Sequence, residues 1–345
     1  MYHPDNWQPT ADIHTLKVRA TLFRLIRSYF ASENVLEVDT PCLSLGSISD
    51  PHIEVLSSTT KTGGNEVTYY LQTSPEFAMK RLLCSDAPSI YQLGKVFRAE
   101  DLGRRHSIEF TMLEWYRLAF DHRRLMKDIE RLFRFVFNKM AQDLSLELHS
   151  SVRSCLDSHD GFSCEKLSYR DAFLRHLNID PFVVDIKVLQ LEAHRITEYG
   201  LEESDRDTLL ELLFSTAIEP HIGLTVPCFV YEYPESQAAL AKKYKDQDGN
   251  AVSARFELYW RGMELANGYN ELTNAAEQEF RIDQDMDERE RNKQPERTVD
   301  KRLVSALHSG MPDCAGVALG VDRLLMLLLD KPHIDQVMSF AGNRA

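Results

Sequence analysis

The stretch from Ile90 to Tyr116 constrains this chain most. Ile90 to Phe97 is rich in β-branched and aromatic residues, and Glu109 to Tyr116 alternates apolar and polar side chains. Both patterns predict strands. Between them lies a charged loop with Arg98, Glu100, Asp101, Arg104, Arg105 and His106. A guanidinium at a strand end can grip a phosphate through two parallel hydrogen bonds. A neighbouring carboxylate can accept from an amino group such as that of adenine. The competing reading is a solvated hairpin with ordinary ion pairs.

The chain has 345 residues, longer than a typical domain of roughly 100–200. One large domain or two smaller ones can therefore bury a sizeable core. The net charge is −13. Proteins that grip a nucleic-acid backbone usually present a basic face, because counterion release drives that binding. The charge balance argues against a large polyanionic partner and suits a basic protein or a small cationic substrate. The six cysteines are scattered and form no C-x-x-C pair, which fits reduced thiols. The N-terminus lacks a charged-then-apolar signal pattern. The most apolar run, Leu324 to Leu329, is far short of the ~20 residues a membrane span needs. The expectation is a cytoplasmic protein with no membrane segment.

Taken in order, His14 to Ala31 predicts an amphipathic helix with Leu16, Leu22, Phe23, Ile26 and Phe30 on its apolar stripe. A short strand, Val35 to Val38, stops before Pro41. Val67 to Gln72 predicts another strand. Ser74 as N-cap and Pro75 at the first helical position then open a helix through Leu83. Glu76 in its first turn is favoured by the helix dipole alone. Asp121 caps a helix to about Met140, residues 142–165 read as a linker, and Ser168 to Ile218 as three helical pieces. The region of about 142–225 predicts a helical insertion in a single domain spanning residues 1–345. Val226 to Tyr233 returns as a strand.

Arg255 to Thr273 carries a second constellation. Alternation around Gly262 predicts an antiparallel pair, with Glu264, Asn267 and Glu271 as its notable polar residues. Positions seven apart on a regular strand face opposite sides. For Glu264 and Glu271 to share a site the strand must break, and Gly268 is the expected place for a bulge. Two carboxylates so placed can hold Mg²⁺ with nucleotide phosphates completing the shell. Two exposed strand glutamates are the alternative. Near the C-terminus, Gly316-Val-Ala-Leu-Gly-Val-Asp-Arg323 precedes an apolar helix and puts Arg323 in a first turn whose free amides favour anions.

Phe97-Arg-Ala-Glu100, the charged loop and His106-x-x-x-Phe110 resemble motif 2 of the class II aminoacyl-tRNA synthetases. The helix, strand and Pro41 before them resemble motif 1, and Gly316 to Arg323 resembles motif 3. Glu264-Leu-Ala-Asn-Gly-Tyr-Asn-Glu-Leu272 is similar to the lysyl-tRNA synthetases. The resemblance spans about residues 14–340. It implies an α+β fold, a mainly antiparallel sheet flanked by helices, and a homodimer through motif 1. It assigns ATP to Arg98, Ala99, Glu100, Ser107, Phe110, Glu264, Leu265, Gly320 and Arg323, with Arg98, Glu264 and Arg323 catalytic. It assigns the amino acid to Ser74, Pro75, Glu76, Tyr116, Asn267, Glu271 and Ala318, and Mg²⁺ to Glu264 and Glu271. Ser107 stands where relatives commonly carry Asn.

Motif 1 begins at about residue 14, with no preceding stretch long enough for the anticodon-binding barrel of bacterial lysyl-tRNA synthetases. The chain thus resembles most the truncated branch of the family, the elongation factor P–(R)-β-lysine ligases. That resemblance implies activation of (R)-β-lysine as an acyl-adenylate and its transfer to the ε-amine of a lysine on elongation factor P, with tRNA not a substrate. Two other classes compete: a tRNA-charging enzyme that reads only the acceptor stem, and a silent paralogue that binds lysine or adenylate. Lysyl-tRNA synthetases typically have Gly where this chain has Ala318. The substitution suits a strand, since Gly weakens strands. It also suits a pocket that crowds an α-amine and tolerates a β-amine.

Overall fold

The computed structural model describes residues 7–99, 102–144, 150–156 and 162–344. Glu100, expected to read adenine, and its neighbour Asp101 lie outside the described residues. The chain divides into two compact units. The first comprises residues 1–119, 135–149 and 272–345, the second 120–134 and 150–271. The architecture is α+β.

The first unit opens with helix α1 (Ile13–Ser32). Asp12 caps it, its carboxylate accepting from Thr15 N at 2.7 Å. Val18, Leu22, Leu25, Ile26, Tyr29 and Phe30 form its buried stripe. Asn34, at φ 54°, ends the run. Strand β1 (Leu36–Glu37) follows, then β2 (Leu43–Ser44), β3 (Ser57–Thr62) and β4 (Asn65–Leu71), the last three forming a small sheet in the order β2-β4-β3. Helix α2 (Glu76–Leu83) leads to β5 (Ile90–Phe97) and β6 (Glu109–Leu118), close to the strands the sequence predicts. Helix α3 (His122–Leu144) then leads into the second unit.

In that unit the expected linker contains a short helix, α4 (Ser150–Leu156), two of whose residues, Val152 and Cys155, are buried. The lack of period in seven residues concealed it. Strand β7 (Glu165–Ser168) precedes three helices, α5 (Tyr169–Leu177), α6 (Ile186–Thr197) and α7 (Arg206–Leu213). Their starts are set by Ser168, Asp185 and Asp205, each accepting a backbone N–H with its side chain. Asn178 and Glu198 end the first two in the left-handed region. They pack on β7 and on β8 (Cys228–Tyr231) through a core that includes Tyr169, Phe173, Leu189, Leu213 and Val230. After β9 (Lys243–Lys245) and β10 (Ala251–Ser253) come β11 (Arg255–Tyr259) and β12 (Glu264–Asn270). The unit's main strands run in the order β12-β11-β8-β7. The helices expected as an insertion therefore belong to a unit that continues to Glu271 and carries strands of its own.

The chain returns to the first unit with α8 (Ala275–Arg291), α9 (Arg302–His308), β13 (Cys314–Gly320) and α10 (Val321–Leu328). Here the strand order is β1-β5-β6-β13. Only β1 and β5 are parallel; β5–β6 and β6–β13 are antiparallel. One face of β6 presents Thr111, Leu113 and Trp115, and α1 covers it: Phe30 stacks on Tyr91 at 4.4 Å and meets Trp115 edge-on at 5.5 Å. Period two sends Phe110, Met112, Glu114 and Tyr116 to the other face. Among the described residues no helix is long and apolar enough to cross a membrane, and the six cysteines form no disulfide.

His122, the first residue of α3, is 6 % exposed, and both its ring nitrogens are buried without a hydrogen-bond partner. Burial, and then the charge of Arg123, push its pKa down to about 4. The folded protein thus keeps it neutral, while the unfolded chain takes up a proton below about pH 6.5. Stability is complete above that pH and is lost as pH falls towards 4, by at most about 3 kcal/mol. Urea denaturation at pH 7.5 and 4.5 should show this loss in the parent and a smaller one in His122→Phe.

Candidate active site

The first unit builds one half of the predicted chemistry on β6 and its neighbours. Register places Gln92, Glu114 and Ala318 directly abreast on β5, β6 and β13. Glu114 is 2 % exposed. Its carboxylate accepts from Ser74 Oγ at 2.7 Å and from the Tyr116 hydroxyl at 2.8 Å. Cross-strand neighbours have Cβ atoms about 4.5–5.5 Å apart, so the Ala318 methyl lies beside that carboxylate. Glu114 is the residue the sequence reading missed here. Its signal was present: a carboxylate alternating in phase with Tyr116 on a strand otherwise fit for burial. A buried carboxylate needs strong donors.

The Ser74 turn does two jobs. Its Oγ accepts from Glu76 N at 3.0 Å while donating to Glu114. The helix itself starts at Glu76, with Pro75 in the cap position, one residue later than predicted. Glu76 takes the ammonium of Lys80 at 2.6 Å, and the Lys80 side chain is only 1 % exposed. The predicted amine ligand Glu76 therefore has its charge paired within its own helix. Tyr116 joins the cluster through Glu114.

The residues expected to bind the nucleotide in this unit lie at the ends of the same strands. The Arg98 guanidinium stands 5.5 Å from the Phe110 ring centroid, and its Nε donates to Thr73 O at 3.4 Å. Ala99 N donates to Glu54 O at 3.0 Å, which fixes the backbone beside Arg98. The loop beyond is pinched by the bridge between Gly103 and His106; Ser107 follows it, half-buried. Gly320 caps α10. Arg323, in the first turn, donates through Nε to Arg105 O at 3.3 Å and lies 2.8 Å from His106 Nε2. The guanidinium can only donate, so this ring nitrogen accepts and the proton sits on Nδ1. The structure thus brings Arg98, Phe110, Ser74, Tyr116, Ala318 and Arg323 onto one connected framework of β5, β6, β13 and α10.

The second unit holds the rest. The predicted hairpin is present, turning through Arg261 and Gly262 at φ 53° and 64°. The predicted bulge is not at Gly268, which pairs regularly with Phe256. The register breaks instead where Tyr259 pairs with Glu264 and Leu258 with Ala266, leaving Leu265 as the extra, buried residue. That slip puts Glu264 on the same face as Asn267 and Glu271.

Glu271 lies past the strand, bridged to Ala241 and 1 % exposed. The carboxylate diagonal to Glu264 on the same face is Glu257, two pairs further along β11. A sequence reading that folds the hairpin at Gly262 could have paired them.

Glu257 is 8 % exposed and takes four donors. Tyr233 OH lies at 2.7 Å and Asn267 Nδ2 at 3.4 Å, with Tyr259 OH and Arg255 closer still. Burial, and then Glu257, push the Tyr233 and Tyr259 hydroxyls well above their ordinary pKa. Four donors fill the lone pairs of an ionised carboxylate. Among the described residues no group of three or more His, Cys, Asp or Glu gathers as a metal site. Glu264 and Glu271 are donors of the type Mg²⁺ takes, because that ion usually binds one or two carboxylates and completes its shell with phosphates and water.

Residues 10–344 match the family of tRNA synthetases class II (D, K and N), and the chain belongs to that family. Within it, the chain is 44 % identical over 344 residues to the elongation factor P–(R)-β-lysine ligase of Vibrio cholerae, covering 99 % of both chains. It is 42 % identical over 344 residues to the protein of that name from Hamiltonella defensa, covering 99 % of this chain and 98 % of that one. The corresponding protein of Salmonella typhi is 42 % identical over 343 residues, 98 % of each. Ligase-named relatives and a synthetase domain make the chain a carbon–nitrogen ligase.

Proposed function

We propose that this ligase uses ATP to activate (R)-β-lysine as an acyl-adenylate and transfers it to the ε-amino group of a lysine on elongation factor P. The carrying observation is the buried Glu114 carboxylate, held by Ser74 and Tyr116 and abreast of Ala318. It offers a preorganised negative charge to a substrate amine, at the centre of strands whose ends carry Arg98, Phe110 and Arg323. The names of the relatives supply the two substrates.

In the first step a carboxylate oxygen of the amino acid attacks the α-phosphorus, and the bond to the bridging oxygen breaks to release pyrophosphate. Charge grows on the phosphate oxygens. Arg98 and Arg323 lie at fixed positions to receive it, and such preorganised electrostatics dominate phosphoryl chemistry. Phe110 offers its ring face to adenine. Glu264 and Glu271 would hold Mg²⁺, which would supply further positive charge to the phosphates. In the second step the neutral acceptor amine attacks the acyl carbonyl, the bond to AMP breaks, and the amine proton leaves to solvent. Asn267 and Glu271 serve the amino acid.

The net charge of −13 disfavours bulk tRNA as acceptor. Six cysteines outside any disulfide suit the reducing cytoplasm proposed for the reaction. A shallow groove of about 640 Å³ along α1, lined by Ala20, Phe23, Arg24, Arg27, Ser28 and Ala31, supports a homodimer through residues 14–45.

The defining experiment incubates the protein with ATP, each lysine isomer, and either elongation factor P or bulk tRNA, and weighs the products. A mass gain of one β-lysine on the factor is expected, and charged tRNA would overturn the reading. Arg98→Ala and Glu264→Gln should each cut ATP–pyrophosphate exchange by about 10²–10³ with circular dichroism unchanged. Light scattering at micromolar concentration should give twice the chain mass; a monomer rejects the dimer. Ala318→Gly should favour α-lysine over (R)-β-lysine by about 10–200-fold in kcat/KM, the usual reach of one methyl-sized pocket change. A ratio that moves less than about twofold leaves strand propensity as the reason for Ala318.

A further inference from the structure

Strand β13 ends at Gly320, opposite Met112 on β6. The next amide along that edge of β6, Thr111 N, therefore finds no strand partner there, and a buried amide must be satisfied. Asp322 takes it: Thr111 N donates to Asp322 Oδ2 at 2.6 Å. The other oxygen, Oδ1, accepts from Arg19 NH1 at 2.5 Å. Arg19 comes from the middle of α1, more than 300 positions away in the sequence. Its second nitrogen, NH2, donates to Thr111 Oγ1 at 2.7 Å, and NH1 also reaches Val337 O at 3.1 Å. The side chains are 12 % and 2 % exposed, and the guanidinium rests 4.9 Å from the Phe23 ring centroid.

Asp322 directly precedes Arg323, and the peptide it grips directly follows Phe110. One carboxylate thus anchors both ends of the proposed nucleotide grip, the cation for the phosphates and the ring for adenine. Arg19 neutralises that carboxylate and fixes its two oxygens at once. Neither Arg19 nor Asp322 lies on the Glu114 face: the contact through Thr111 belongs to the opposite face of β6.

We infer that Arg19 is a positioning residue for the nucleotide, acting through Asp322 on Arg323 and Phe110. This rests on the proposed reading that Arg323 and Phe110 hold ATP. It sets apart the two substrates, since the amino-acid residues Ser74, Glu114 and Tyr116 are anchored to each other on the opposite face of β6.

The test compares the full chain with Arg19→Gln, Arg19→Lys and Thr111→Val. Three quantities are measured: KM for ATP and KM for (R)-β-lysine in pyrophosphate exchange, the equilibrium Kd for ATP alone, and the urea midpoint. Arg19→Gln should raise KM and Kd for ATP at least tenfold while KM for (R)-β-lysine stays within about twofold. Arg19→Lys keeps the charge on Asp322 but cannot span to Thr111, and should recover part of the loss. Thr111→Val removes only the hydroxyl acceptor and should raise KM for ATP by a few-fold. Unchanged ATP constants in a folded Arg19→Gln overturn the inference, as does an equal rise in both KM values that tracks the urea midpoint. Should Arg19→Gln not fold, unchanged ATP constants in the other two variants overturn it equally. If the parent binds ATP but shows no exchange with any lysine isomer, the proposed reaction fails, while the Kd comparison still decides the clamp. A parent that binds no ATP defeats both.

Discussion

Everything placed in the first unit depends on the register of one strand. β6 pairs with β5 over Ile90–Phe97 and with β13 over Cys314–Gly320, without a slip on either side. Because side chains alternate with period two, a shift of one residue would move every β6 side chain to the other face. Glu114 would then meet α1, and Trp115 would take its place beside Ala318. Trp115 is fully buried against Phe30, and removing such a ring from a core costs about 3–5 kcal/mol. The packing of α1 on the back of β6 is thus what keeps a carboxylate on the front.

The two units treat buried carboxylates differently. Glu114 is oriented by hydroxyl groups of Ser74 and Tyr116. Glu257 meets two tyrosine hydroxyls, an amide and the Arg255 guanidinium. Although burial alone would lower the Arg255 pKa, Glu257 and the surrounding tyrosines hold it above its ordinary value. A buried ion pair of this kind adds little net stability but is costly to break. It is suited to holding geometry, here that of Asn267 on the facing strand. Glu76 is a third case, its charge matched by a lysine one helical turn on.

Much of the fold was legible in the sequence, because it depends on local periodicity and caps. Alternation announced β5, β6 and the hairpin of β11 and β12. The helical stripe announced α1, and Ser168 and Asn178 bracketed α5 as capping residues should. Motif resemblance also supplied candidate site residues, Arg98 and Phe110 around the loop and Gly320 and Arg323 at the end of β13. What failed did so for definable reasons. A bulge is decided by which residue the partner strand leaves unpaired, so Leu265 and not Gly268 took that place. The helices read as an insertion share a compact unit with strands β7 to β12, a grouping that depends on contacts between distant segments.

By itself, then, the sequence determined the elements, their capping and the residue types available for phosphate, amine and metal. Only the tertiary structure decided which of those residues work together. Glu114 became the central carboxylate because Ser74 and Tyr116 reach it from another turn and from its own strand. Arg19 joined Asp322 because β13 stops one residue short of covering the Thr111 amide. No spacing in the sequence encodes an orphaned donor. It exists only when strands of unequal length lie side by side, and a buried N–H must then find its acceptor wherever the fold brings one.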